Sequence, residues 1–132
     1  MNRTAAALLA LAMGANGAVM LAAGRWWYGV APGVTETGPF NAHFVNDIGA
    51  AYLLVGAAFA WLALRSSELA RGAALLAAAF LALHGFIHLA DAVAGLRGFA
   101  DLVRDFPGVF LPALVAAWLV WTSTPNLETR HA

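Results

Sequence analysis

The chain has 132 residues, 62% of them hydrophobic and 11% charged, with seven basic residues against seven acidic ones and no cysteine. A soluble domain is about 45–50% apolar and about 25% charged, so this composition excludes a soluble globule and a disordered chain, and the absence of a net positive field excludes a nucleic-acid binder. Without cysteine there are no disulfides, thiolate nucleophiles or Cys-ligated metal or iron–sulfur centres. An integral membrane protein remains, with the lipid bilayer as its principal partner.

A spanning helix needs about 20 mostly apolar residues. Four stretches qualify: 4–24, 42–64, 72–94 and 106–122. The first carries no charge, and its apolar run exceeds the 7–15 residues typical of a signal peptide, so it reads as a retained anchor. Asn16 is its one strongly polar group and is expected to hydrogen-bond across the bundle. Its Gly14, Ala15, Gly17 and Ala18, like the alanines of the third span, read as surfaces for close helix contact. Residues 30–40 form a turn-rich connector containing Glu36, which reads either as an ordinary link or as a lid leading into His43. Asn41 suits the N-cap of the second span.

A polar break from Arg65 to Glu68 precedes the third span. Residues 101–105 read as the lead into the fourth, where Pro107 occupies the first turn without cost and Pro112 is expected to kink the helix. Pro125 ends the span, and a polar, mobile tail covers 123–132. The short links predict an all-α, antiparallel four-helix bundle forming a single transmembrane domain over 1–132.

Arg3, Arg65, Arg71 and Arg130 fall on one side, and Arg25, Arg97 and Arg104 on the other. By four to three, the positive-inside rule puts both termini in the cytoplasm, as expected for a bacterial inner-membrane protein. Trp26, Trp27 and Tyr28 mark one interface, and Trp61, Trp118 and Trp121 the other.

Ionisable groups inside a span are costly and mark functional positions. Here the second span opens with His43, Asn46 and Asp47, and the third closes with His84, His88 and Asp91. His43 and Asp47 are four apart, while His84, His88 and Asp91 follow an i, i+4, i+7 pattern on one helix face. Antiparallel packing brings both groups into one membrane layer on the side of the first loop. His131 lies in the tail, away from it.

Imidazole and carboxylate suit zinc, iron or manganese, and imidazole also suits copper. The expected site is a metal centre ligated by His43, Asp47, His84 and His88, with Asp91 as a fifth ligand or as an acceptor fixing a histidine tautomer. Asn41, Asn46, Tyr52 and Glu36 would support those ligands from outside. Two other readings use the same residues. In one, His88 pairs with Asp91, and Asp47 pairs with Arg25 or Arg97, as purely structural contacts. In the other, His43 and His88 hold a haem between two helices, which leaves His84, Asp47 and Asp91 without a role.

The segment Gly38-Pro39-Phe40-Asn41-Ala42-His43-Phe44-Val45-Asn46-Asp47-Ile48-Gly49-Ala50-Ala51-Tyr52-Leu53 resembles a group of small four-span bacterial membrane proteins sharing a G-P-F-N-x-H-F-x-x-D-x-G-x-A-Y-L run. The resemblance implies four spans and points to His43 and Asp47; it implies no activity. Two function classes follow. One is a metal-dependent membrane enzyme acting on a lipid-soluble or interfacial substrate. The other is a non-catalytic accessory or assembly subunit, within a homo-oligomer or a larger membrane complex such as a respiratory one.

Overall fold

The computed structural model describes residues 1–123; Pro125, His131 and nearly all of the expected tail lie outside them. Helix α1 covers Arg3–Val30, α2 covers Ala42–Leu64, α3 covers Glu68–Val93, α4 covers Phe99–Asp105 and α5 covers Leu111–Thr122. A π-helical segment, Phe106–Phe110, joins α4 to α5, so Phe99–Thr122 runs as one helical rod. The four rods are long and apolar enough to cross a membrane, and no strand occurs among the described residues. The protein is an all-α bundle of membrane-protein character.

Each start has a local cause. Asn2, Asn41 and Ser67 cap α1, α2 and α3 by accepting the backbone N–H three residues on, each at 3.1 Å, which satisfies a donor left free by the helix end. Helix α3 therefore begins four residues before the expected span. Asp101 accepts the Gly98 N–H at 2.8 Å and starts α4 inside what reads as a loop in sequence. Proline shapes the fourth rod differently from the simple kink expected. Pro112 has no N–H, and the Leu111 N–H reaches back five residues to the Phe106 carbonyl, so the irregularity takes the form of a π turn. Pro107 sits within this turn rather than at a helix start, and the Phe106 N–H takes the Val103 carbonyl instead.

Helix α1 packs most extensively against α2. Gly17 faces the backbone of Gly49, and Gly56 faces that of Gly14. Glycine permits this approach because a methyl at Gly56 would lie 2.7 Å from the Gly14 nitrogen. Ala70, Ala74, Ala77, Ala78 and Leu81 of α3 join Phe59, Leu62, Ala116 and Leu119 in the shared core. The large apolar side chains Leu8, Leu11, Leu54, Leu76, Leu83 and Leu114 point outward, as a lipid-facing surface requires.

Helix α1 continues past its expected span and bends at Ala23 (φ −142°, ψ 42°). Asn16 does not bond across the bundle. It accepts the Trp27 indole N–H at 2.9 Å and meets the Met20 sulfur at 3.6 Å, both within α1. The bend brings an indole three turns away within reach of the amide.

Candidate functional site

The chemistry-bearing residues gather at the end of the bundle that carries the first loop, in two separate groups. On α2, His43 Nε2 lies 3.4 Å from Asp47 Oδ2, with the side chains 89% and 62% exposed. This pair faces outward, and neither Arg25 nor Arg97 joins it. Arg25 instead stacks over the Phe40 ring at 4.5 Å.

The second group lies between α3 and the fourth rod. His88 Nδ1 is 2.7 Å from Asp105 Oδ2, with the side chains only 27% and 10% exposed. An ionised carboxylate only accepts, so Nδ1–H is the donor, and in the neutral form of the ring Nε2 is then the nitrogen free to accept. His84 meets His88 edge to face at 5.0 Å between ring centres, and Tyr52 of α2 meets His84 at 6.2 Å. Phe80 stacks on His84, and Phe110 of the π segment edges onto His88. Gly85, next to His84 and three residues before His88, faces the Phe110 ring. The result is a row of rings, Tyr52–His84–His88, that ends on a carboxylate.

Asp91 is not in contact with His88. It lines a shallow polar cavity of about 440 Å³ with Glu36, Thr37, Leu96, Arg97 and Asp101. On α3 this cavity lies one turn beyond His88, and on α4 one turn beyond Asp105, so it sits over the pair toward the loop. The loop itself is pinned rather than free. The 3-10 turn Val34–Thr37 presents Glu36 to Arg97 at 3.3 Å and Arg104 at 3.0 Å, and Tyr28 donates to the Gly38 carbonyl.

Of the residues expected to form the site, the structure brings together His84, His88 and, at the ring edge, Tyr52. His43 and Asp47 form a pair of their own, with Asn41 serving as the α2 cap. Asn46 is exposed and close to Gly24 of α1. Asp105 holds the position that the sequence reading gives to Asp91. Its signal is present in sequence once the capping of Gly98 by Asp101 is recognised: α4 then starts at Phe99, and Asp105 lies about 9 Å along it, level with His88 about 7.5 Å from the end of α3.

Among the described residues, no group of three or more His, Asp or Glu side chains is gathered to hold a metal. His84 and His88 supply two imidazoles, while Asp105 is engaged by His88 and by Arg104 Nε at 3.3 Å. A haem bridging His43 and His88 would need His43 away from the exposed face on which it pairs with Asp47.

The fold and the site together define a four-helix membrane protein with a half-buried His–Asp pair beneath a charged loop. Against family models, curated proteins and solved structures the chain shows no significant match.

Proposed function

We propose that the protein is an integral membrane protein of a bacterial inner membrane, with both termini in the cytoplasm, and that it handles protons at His88 for a lipid-soluble or interfacial substrate. The observation that carries this reading is the 2.7 Å bond between His88 and Asp105 within helices long enough to span a bilayer. Ionisable pairs within membrane-spanning helices are costly and are characteristic of proton relays and substrate paths. Asp105 fixes the ring and its tautomer, which leaves Nε2 to accept a proton from a bound substrate and return it. The polar cavity above the pair would receive the substrate's polar end, and the apolar outer faces of α3 and α5 lie beside its lipid-soluble part.

The test compares lipid-soluble extracts from cells carrying wild type, His88→Gln, Asp105→Ala or no protein, by mass spectrometry. A species altered by wild type alone supports the proposal. Identical profiles for wild type and both variants overturn it.

One observation favours a second reading, in which zinc, iron, manganese or copper binds here. A histidine whose other nitrogen is held by a carboxylate is the usual arrangement around a metal, and His84 and His88 stand on adjacent turns. Such a metal would need further donors beside these two imidazoles. Stoichiometric metal in the purified protein, lost on His84→Ala, would establish this reading; its absence would end it.

A further inference from the structure

One side chain joins the first loop to the His88–Asp105 pair. Arg104 donates from Nη1 to Glu36 at 3.0 Å and from Nε to Asp105 Oδ1 at 3.3 Å, and its Nη2 lies 3.0 Å from Asp101 Oδ1. Arg97 holds the same Glu36 oxygen at 3.3 Å. The guanidinium lies directly against Gly33, which has a φ of +76° and lacks the side chain that would occupy that space. The loop that carries these residues is fixed by its own bonds. Thr37 Oγ1 donates to the Val34 carbonyl at 2.7 Å, and Tyr28 donates to Gly38.

A guanidinium is a rigid planar fork, so contacts on one edge orient the others. Asp105 gives one oxygen to Arg104 and the other to His88, and its carboxylate orientation is therefore set jointly. We infer that Arg104 is a positioning residue that aims Asp105 at His88, and that the first loop, through Glu36 and Gly33, holds Arg104 in the orientation that does so. The inference rests on the His88–Asp105 reading above. Released from the fork, Asp105 can turn, and His88 loses the fixed acceptor that selects its Nδ1–H tautomer.

Ring ¹⁵N NMR of the full-length, histidine-labelled protein in lipid nanodiscs reads this directly. It is run at pH 8, where an ordinary imidazole is neutral, and His88 is assigned by its loss in His88→Gln. Wild type is expected to show His88 as the Nδ1–H tautomer alone. Glu36→Gln, Gly33→Ala and Arg104→Lys are each expected to give a mixture of both tautomers at unchanged helicity. Gly33→Ala removes no charge, and Arg104→Lys keeps the charge while losing the fork, so a shift in both assigns the effect to geometry. If Asp105→Ala alters the tautomer while the other three leave it as in wild type, the positioning role is overturned and the pair stands. If Asp105→Ala also leaves it unchanged, the reading of the pair itself fails. Glu36 is more than half exposed, so Glu36→Gln decides the matter should Arg104→Lys fail to fold.

Discussion

His88 and His43 are both histidines with a carboxylate partner, yet their surroundings give them different weight. The His88–Asp105 bond joins two helices with little exposure, whereas His43–Asp47 lies along one turn of α2 in the open. Interhelical polar bonds in membrane proteins contribute about 0.6–2 kcal/mol, and exposed pairs less than about 1 kcal/mol. Asp105→Ala is therefore expected to lower stability by about 1–2 kcal/mol, read as an earlier loss of helicity on titration with a denaturing detergent. His43→Ala should unfold close to wild type in the same titration. Equal losses for the two variants would show that burial does not distinguish the pairs. The sequence places His84 and His88 on one face of α3 correctly, because helical spacing alone decides that. It does not identify Asp105, because a charged run beside a span reads as a loop until its capping is seen.

At the scale of the element, span and helix prove to be different quantities. Hydropathy locates the four apolar rods well, since the bilayer imposes their composition. It ends α1 near Gly24, whereas the helix continues through Arg25, Trp26, Trp27 and Tyr28 to Val30, because amphipathic side chains at an interface are compatible with helical backbone. The glycines of α1 and α2 allow a sharper test of packing. Gly17→Val would place a branched side chain against the Gly49 carbonyl and the Leu53 nitrogen, and overpacking of this kind costs about 1–3 kcal/mol. Gly72 has nothing within 4 Å of an added methyl, so Gly72→Ala should gain up to about 1 kcal/mol from reduced backbone freedom. Detergent titration should move the two variants in opposite directions from wild type. A Gly17→Val variant as stable as wild type would mean that the α1–α2 contact is looser than the structure has it.

For the whole molecule, the antiparallel order puts the first loop, both His–Asp pairs and the polar cavity at one end, and Arg65 to Glu68 and the start of α1 at the other. The ends also differ in how their charges are used. Arg97 and Arg104 are drawn into the cluster around Glu36, whereas Arg3 and Arg65 are exposed at the opposite end. Positive residues are retained on the cytoplasmic side during insertion, so in the proposed orientation the loop and the His88 site would lie on the periplasmic face. Because the chain has no cysteine, single introduced thiols report topology without background. Thr35→Cys, exposed in the loop, should react with a membrane-impermeant maleimide in intact cells. Ser66→Cys, exposed between α2 and α3, should react only after the cells are opened. The reverse pattern would turn the molecule over and give the His88 site a cytoplasmic source of protons and substrate. Labelling of both in intact cells would contradict the four-span arrangement itself, since the two positions are separated by α2 alone.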